Sequence, residues 1–293
     1  MSGAVASAGQ GRGLVALAGR IAAAEGSTRP IALVRIGVAL LIWARFAEPL
    51  ALFHLHQGPG VILGLSLYAA SVLLLVGYRS QLAAAWTGAS LAGVIGYLGV
   101  ARHDHSFVHH HCSLLMIVAL LLALTPCGAS LSVDRLLRVR AAERAGAPLP
   151  AERGPLWATW LICLQVSAVY FWGAVDKTYG AWLDGQRMEH IAMYFYTGSQ
   201  RPTQPLFAPL MTAIAIGTVA LEYYLAVGLW IRRWQRFTIP LAIAFHLLIY
   251  ITVPVATFSL TMCLLFLLFL PPDDVHAALD RLLGVAVSPR RSS

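Results

Sequence analysis

The sequence predicts an all-α protein: a polytopic transmembrane helical bundle of about eight helices with both termini in the cytoplasm. Composition is the first observation that predicts it, because 58% of the 293 residues are hydrophobic, only 12% are charged and the mean hydropathy is +0.71. Soluble domains carry roughly 25% charged residues. An ordinary soluble domain is therefore excluded, and the lipid bilayer is the first predicted partner.

Eight apolar stretches supply the predicted helices. Each is compatible with a helix that crosses a hydrocarbon core of about 30 Å, provided that some of them are short or tilted. The stretches lie near residues 30–52, 61–77, 82–101, 112–126, 156–175, 209–231, 237–252 and 255–270.

The basic residues predict the orientation of these helices. With the N-terminus inside, fifteen of the 21 Lys and Arg residues fall in cytoplasmic segments, four in outer segments and two within the first helix. Cytoplasmic loops retain positive charge, so this distribution fits eight crossings with both ends inside. The net charge of +8 is then a consequence of topology, and no nucleic-acid partner is predicted.

The remaining segments are predicted to be loops and tails around one membrane domain, residues 30–272. Residues 1–29 lack the compact apolar core of a signal peptide and are predicted to form an N-terminal cytoplasmic tail. Residues 130–155 carry mixed charge, which is typical of a cytoplasmic loop, and residues 273–293 are predicted to form a C-terminal cytoplasmic tail. The four cysteines lack a CxxC pair, so they are interpreted as packing residues.

Lys177 is the only lysine in the chain, and it follows the apolar run VYFWGAV. An arginine stays protonated in proteins, whereas a lysine at the edge of a low-dielectric region loses hydration and is pushed towards the neutral amine. Lys177 is therefore the one amine base available for catalysis. An interfacial anchor whose stem reaches towards water explains the same position equally well.

Two polar residues lie in the middle of predicted helices near the C-terminal end. Glu222 and His246 are each about 12 positions from the turn near Trp234, so they are expected at one depth and within reach of each other. Ionisable residues inside a membrane usually mark function. A structural hydrogen-bonded pair is the alternative.

His111 and Lys177 are expected at the same outer level, where they would share a chamber. His111 begins the fourth predicted helix and Lys177 ends the fifth. Aromatic residues that would provide its walls and bind a flat cofactor are Tyr170, Trp172, Tyr179 and Tyr250. An interfacial belt of aromatic residues has the same composition.

The outer loop ARHDHSFVHHHCS suggests a third kind of site. Imidazole is a common ligand of zinc and copper. The candidate ligands are His103, His105, His109 and His110. Their spacing lacks the i, i+4 arrangement that makes two helical ligands converge. A solvated loop that responds to pH is the alternative, and no metal is assigned.

Several motifs together resemble a known family. They are QVSAVYFWGAVDKTYGAWLDGQRMEHI, LEYYLAVGLWIRR, AFHLLIYITVPVATFSLTM and FLPPD, together with the run from His111 to SLSVDRLL. They resemble the membrane domain of vitamin K-dependent gamma-glutamyl carboxylase, and the chain looks like a bacterial member of the wider HTTM group that shares this domain. The resemblance covers about residues 30–272.

The resemblance implies an activity. Lys177 matches the family's catalytic base, which deprotonates a reduced vitamin K; after dioxygen adds, the resulting alkoxide removes a glutamate gamma-proton before carbon dioxide is added. His111 and His246 match histidines of the active chamber, and Glu222 matches an acidic residue. The implied cofactor in a bacterial plasma membrane is menaquinol, with O2 and CO2 as co-substrates and a secreted peptide as a possible substrate.

Two departures from the family keep alternatives open. Asp176 places a carboxylate beside Lys177, which opposes loss of its proton. The sequence also ends about 20 residues after FLPPDD, whereas the carboxylase continues into a large extramembrane domain that holds its protein substrate. One alternative is an accessory factor in the maturation or export of a secreted peptide toxin, and another is a metal-dependent membrane oxidoreductase.

Overall fold

A computed structural model describes residues 16, 19–54, 58–253 and 255–284. The contacts between residues divide the chain into two compact units. The first contains the described residues up to Ile162 and from Leu270 onward, and the second contains Cys163–Phe269. Most of the predicted N-terminal tail, the residues of the predicted C-terminal tail beyond 284, and His56 in the first outer loop lie outside the described residues.

Four apolar helices form the centre of the first unit. They are α1 (Arg29–Pro49), continued by a π-helical turn at Leu50–His54; α2 (Gly58–Val76); α3 (Ser80–Val94), continued by a π-helical segment at Ile95–Ala101; and α4 (His110–Leu122). Helix α1 packs on α2 and α4, and α3 packs between α2 and α4. A short 3-10 helix, His105–Phe107, lies in the loop before α4.

Local sequence explains where these helices begin and how closely they pack. Pro30 lies in the first turn of α1, where its missing N–H removes no intrahelical bond. Gly88 of α3 faces Leu120 of α4 so closely that a Cβ there would lie 2.6 Å from the leucine side chain. Small residues allow membrane helices to approach in this way.

Polar elements complete the first unit at one end. Helix α5 (Val133–Ala145) is capped by Ser132, whose Oγ accepts from the Arg135 amide at 2.9 Å. Strands β1 (Glu25–Ser27) and β2 (Arg153–Pro155) pair antiparallel. Helix α12 (Pro272–Leu282), which lies in the predicted C-terminal tail, packs on α1 and β1.

All secondary-structure elements among the described residues of the second unit are helices. It contains most of α6 (Trp157–Lys177), the short α7 (Gly180–Leu183), α8 (Gln186–Ala192) with a π-helical continuation at Met193–Thr197, α9 (Phe207–Gly228), α10 (Gln235–Thr252) and α11 (Ala256–Leu265), which a 3-10 turn at Phe266–Leu268 extends. Helix α9 packs on α7, α8 and α10, and α10 packs on α11.

The all-α polytopic architecture is confirmed, and all eight apolar stretches are helical. Among the described residues, six helices are long and apolar enough to cross a membrane, and a seventh span results if α11 and α12 are counted as one bent span. The remaining predicted crossing corresponds to α4, a shorter apolar helix of 13 residues. That both termini lie in the cytoplasm remains a prediction.

Candidate functional site

Lys177 and Glu222 form an ion pair in the second unit. The Lys177 Nζ lies 3.0 Å from Glu222 Oε1, 2.9 Å from Glu222 Oε2 and 3.0 Å from the carbonyl oxygen of Gly173. An ammonium has three N–H donors, and these three acceptors can take all of them. The side chains are 23% and 11% exposed, so the pair is largely withdrawn from the surface.

The helices explain why the pair can form. Lys177 is the last residue of α6, and its Nζ reaches back one turn to Gly173. A Cβ on Gly173 would lie 3.4 Å from that nitrogen and 3.6 Å from Glu222 Oε2, so both charged groups lie directly against this face of α6. The Trp182 ring lies 5.5 Å from the ammonium, a distance at which the ring face attracts a cation.

The carboxylate beside Lys177 is Glu222 and not Asp176. Asp176 is exposed, and among the described residues the hydrogen bonds of the lysine go to Gly173 and Glu222 only. Sequence adjacency suggested Asp176 because consecutive residues are close along the chain. On a helix they point about 100° apart, so adjacency does not produce contact.

His246 and Tyr170 form a second polar pair on the same side of α6. The Tyr170 hydroxyl lies 2.7 Å from His246 Nε2, and the two residues are 2% and 1% exposed. Tyr170 and Lys177 are seven positions apart, which puts them on one face of the helix and about 10 Å apart along its axis. One face of α6 therefore holds both polar pairs.

Aromatic rings surround His246, and one of its own ring nitrogens is unpaired. The rings of Phe245, Phe258 and Phe266 have their centroids 5.4 to 5.8 Å from the imidazole. His246 Nδ1 and Ser259 Oγ are buried and have no hydrogen-bond partner among the described residues. Buried polar atoms in native proteins normally have a partner, so these two atoms are exceptional. We call Tyr170, Phe245, His246, Phe258 and Phe266 the His246 cluster.

The expected direct pair of Glu222 and His246 is replaced by two separate pairs. Each residue is bound by a different side chain of α6, and no hydrogen bond joins the two among the described residues. Counting positions from the turn between α9 and α10 gave their depth along the helices. It did not reveal that a third helix, α6, supplies the hydrogen-bond partner of each residue.

The four aromatic residues expected to bind a cofactor do not share one environment. Tyr170 is buried in the His246 cluster. Trp172, Tyr179 and Tyr250 are 64%, 47% and 47% exposed, as are aromatic side chains that face lipid or the membrane interface. Of the four, only Tyr170 is buried.

His111 lies in the first unit, where it is bound by Arg45. The Arg45 Nε donates to His111 Nε2 at 3.1 Å, and the Arg45 Nη2 donates to the carbonyl oxygen of Ser106. Lys177 belongs to the second unit. The chamber that His111 and Lys177 were expected to share stays a prediction.

The histidine-rich loop does not gather metal ligands. Within the described ranges, no group of three or more His, Cys, Asp or Glu side chains is arranged to hold a metal ion. His54 pairs instead with Asp104, its Nε2 3.0 Å from Oδ2, and the His109 ring stacks on His111 at 5.3 Å. His103 and His105 lie in the turn before α4, and His110 begins that helix.

Comparison with known protein families identifies the chain. The model of the HTTM domain family matches residues 50–273, which is most of the sequence. The chain belongs to the HTTM domain family. Searches of curated proteins and of solved structures found no match. Membership of the HTTM family is consistent with the relationship to the carboxylase membrane domain that the motifs indicated.

Two arginines of α1 make polar contacts that no expectation from the sequence included. Arg45 lies just outside the matched HTTM range and contacts His111 inside it. Arg35 is fully buried, and its Nη2 donates to the carbonyl oxygen of Leu131 at 2.5 Å. Both could have been found from sequence, because a charged residue within an apolar run is a signal of a buried polar contact or of function.

Proposed function

We propose that this HTTM domain is a carboxylase-like, quinol-dependent membrane enzyme. Lys177 and Glu222 act as the proton-accepting couple, and the His246 cluster holds a reduced naphthoquinone, menaquinol in a bacterial plasma membrane. The observation that carries the proposal is that one face of α6 presents a Lys–Glu pair and, two turns away, Tyr170 bonded to His246, whose Nδ1 is buried among aromatic rings without a partner among the described residues. Binding sites for flat cofactors typically combine apolar walls with a few polar groups.

The chemistry of the His246 cluster supports the binding of such a quinol. Three phenylalanine rings provide apolar surface, while His246 Nδ1 is free to make a hydrogen bond. With the Tyr170 hydroxyl as donor to His246 Nε2, the imidazole presents Nδ1–H to a ligand oxygen. A purely apolar ligand would leave Nδ1 unsatisfied.

For Lys177 to act as the base, the Lys177–Glu222 pair must first move a proton within itself. An ammonium whose three donors are all engaged cannot accept a proton. Transfer of one proton over the 2.9 Å to Glu222 leaves a neutral amine and a neutral acid, a form that low-dielectric surroundings favour over separated charges. Lys177 then accepts the proton of the quinol hydroxyl, and Glu222 stores the first proton.

The cofactor would supply the chemistry that the side chains lack. A reduced naphthoquinone, together with dioxygen, supplies a base strong enough to remove a proton from a carbon before carbon dioxide is added. The residues of the chain bind and orient it, exclude water from the apolar walls and hold the proton at Lys177 and Glu222. A secreted peptide is the proposed substrate class.

The decisive experiment supplies reduced menaquinone and oxygen to purified protein in lipid nanodiscs and measures the quinone epoxide by mass spectrometry. This half-reaction requires no peptide substrate. We expect epoxide from the wild type, and a loss of at least about 100-fold in Lys177→Arg, since general bases typically contribute 10²–10⁴-fold. Trp172→Phe is the control, because Trp172 is exposed and its ring is replaced by another apolar ring.

Two results would overturn the proposal. Folded wild-type protein that forms no epoxide would favour the accessory role in peptide maturation or export. Full activity in folded Lys177→Arg would remove Lys177 as the base, because a guanidinium retains its proton in proteins.

A further inference from the structure

Arg45 is a charged residue within an apolar helix that the proposed function leaves without a role. It lies in the candidate span Arg29–His54 and is partly buried. In the described part of the chain it has no carboxylate partner. An arginine at such a position is costly unless its hydrogen bonds are well used.

The hydrogen bonds of Arg45 connect α1 to the loop before α4 and to α4 itself. Its Nε donates to His111 Nε2 at 3.1 Å, and its Nη2 donates to the carbonyl oxygen of Ser106. Ser106 is in turn fixed by Asp104, whose Oδ1 accepts from the Ser106 amide at 3.0 Å and from its hydroxyl at 2.6 Å. The guanidinium is thus held in place by its second hydrogen bond while it binds the imidazole.

The direction of the hydrogen bond between Arg45 and His111 follows from chemistry. A guanidinium has donors only, so His111 Nε2 must accept with its lone pair. An imidazole that accepts through Nε2 carries its single proton on Nδ1. The other titratable groups around the ring are His109, stacked at 5.3 Å, and the sequence neighbours His110 and Cys112; among the described residues, none of them supplies a carboxylate.

We propose that Arg45 is a positioning residue that fixes His111 as the neutral tautomer with its proton on Nδ1, so that His111 acts as a permanent hydrogen-bond donor. A histidine fixed in this way offers Nδ1–H to an oxygen acceptor but does not shuttle protons through Nε2. This assignment concerns the first unit only, and it holds whether or not the protein turns over a quinol.

His54, only nine residues from Arg45, is the natural internal comparison. Its Nε2 lies 3.0 Å from the Asp104 carboxylate, and a carboxylate only accepts. His54 therefore donates through Nε2. His111 and His54 are thus predicted to have opposite proton positions, one set by a cation and the other by an anion.

The test reads the proton position directly. The full-length protein is produced with its histidine rings labelled with the heavy nitrogen isotope, and long-range proton–nitrogen correlation spectra are recorded in detergent micelles. His111→Gln and His54→Gln assign the two residues. We expect His111 to show a protonated Nδ1 and an unprotonated Nε2, unchanged between about pH 5 and pH 8, the range in which an ordinary histidine titrates.

Arg45 variants then test the cause. In Arg45→Gln, the nitrogen resonances of His111 should shift towards the average of two tautomers and should move with pH. Arg45→Lys, which retains the charge, should give an intermediate result, because a lysine lacks the fixed fork of donors. Arg102→Gln is the control, since Arg102 is exposed in the same outer region.

Each contrary result overturns the proposal. A wild-type His111 with its proton on Nε2, or one that titrates like an exposed histidine, contradicts it even if no Arg45 variant folds. If Arg45→Gln folds and leaves the His111 spectrum unchanged, then the tautomer has another cause and Arg45 is not the positioning residue.

Discussion

At the scale of single residues, the ion pair between Lys177 and Glu222 is expected to stabilise the second unit. Removing one partner leaves the other charge unpaired in apolar surroundings, which costs about 3–5 kcal/mol in soluble proteins and less in membranes, where unfolded helices also find polar partners. We expect Lys177→Met and Glu222→Leu each to lower the free energy of unfolding by about 2 kcal/mol. SDS-induced unfolding in mixed micelles measures this.

A double-mutant cycle separates the pair from other effects of the two substitutions. The double variant should lose less than the sum of the single losses, because it leaves no unpaired charge. The matched control is the pair Arg201–Glu189, which has a similar distance of 2.9 Å but an arginine that is 64% exposed; its coupling should be below about 1 kcal/mol. Equal coupling in both cycles would show that burial contributes nothing.

Gly77 is the residue whose replacement the first unit should tolerate least. Its φ of +71° is unfavourable for other residues, and a Cβ there would lie 1.6 Å from Nη1 of the fully buried Arg35. We expect Gly77→Ala to cost at least about 2 kcal/mol, since strain and overpacking add. Thermal unfolding should show a clear drop, or the variant should fail to accumulate in membranes.

Gly217→Ala provides the control for that substitution. Gly217 lies at an exposed position in the middle of α9, and a Cβ there would meet no other atom within 4 Å. The same change there should leave the protein unaffected or stabilise it by about 0.5 kcal/mol, because alanine loses less backbone freedom in a helix. A similar loss at both positions would refute the role assigned to the Arg35 contact.

The sequence singled out the polar residues of the two pairs, but it did not predict which residue binds which. Lys177, Glu222, His246 and Tyr170 all stood out as polar groups beside or within apolar runs, and the structure brings them together in two pairs. Which residue binds which was not predictable, because it depends on how α6 is rotated against α9 and α10. Ser259 illustrates the limit, since a serine in an apolar helix normally bonds to its own backbone.

At the scale of elements, Asp134 joins α5 to the beginning of α3. Its carboxylate accepts from the amides of Arg79 and Ser80 at 2.7 and 2.8 Å and from the Ser80 hydroxyl at 2.7 Å. These amides belong to the first turn of α3, which has no intrahelical acceptor for them. Burial opposes ionisation, but the hydrogen bonds from Ser80 and Arg79 outweigh it and hold the pKa of Asp134 below the ordinary value of 3.8.

This lowered pKa predicts a pH dependence of stability. A carboxyl group with a lower pKa in the folded state stabilises fully above the ordinary value of 3.8 and loses its contribution as the pH falls through the folded-state pKa. We expect Asp134→Asn to be less stable than the wild type by about 1 kcal/mol at pH 7, and this difference should shrink only in acid, below the ordinary value.

Thermal unfolding of both proteins from neutral pH down to strong acid measures that difference. Glu143→Gln is the control, because Glu143 is exposed on the same helix, α5; its unfolding temperature should follow the wild type at every pH. A gap between wild type and Asp134→Asn that stays constant in acid would contradict the proposed coupling of the carboxylate to folding.

Helix positions were predictable to within a few residues, but helix α12 was not. The apolar stretches were visible because a long succession of apolar residues, about 20 in the typical case, is the pattern that a membrane-spanning helix requires. The segment PDDVHAALDRL is polar and close to the chain end, so it was interpreted as tail. The contacts that order it come from distant residues: Arg29 bonds to Asp280, and the Ser27 hydroxyl lies 2.8 Å from His276 Nδ1.

At the scale of the whole molecule, composition and charge distribution predict a membrane protein. The six to seven candidate spans among the described residues and the HTTM match support this prediction. The orientation in the bilayer rests on the arginines alone. Of all the helices, α6 tests it best, because its 21 residues extend about 31 Å, and predicted inner and outer segments flank it directly.

Cysteine labelling across α6 is therefore expected to give opposite results at its two sides. Ala141→Cys lies in the predicted cytoplasmic segment and Gln200→Cys in the predicted outer segment, and both positions are exposed. In intact bacterial cells, a maleimide that cannot cross the membrane should label Gln200→Cys. It should label Ala141→Cys only after the cells are permeabilised, because the excess of arginine holds that segment inside.

The native cysteines make the labelling experiment interpretable. Cys112, Cys127 and Cys163 are buried and Cys263 is partly buried, so the unmodified protein and its Cys263→Ser variant should give little background. Only α6 separates the two labelled positions among the candidate spans. Labelling of both from one side would therefore mean that α6 does not cross the bilayer, whereas labelling in the reverse order would mean that the whole predicted orientation is inverted.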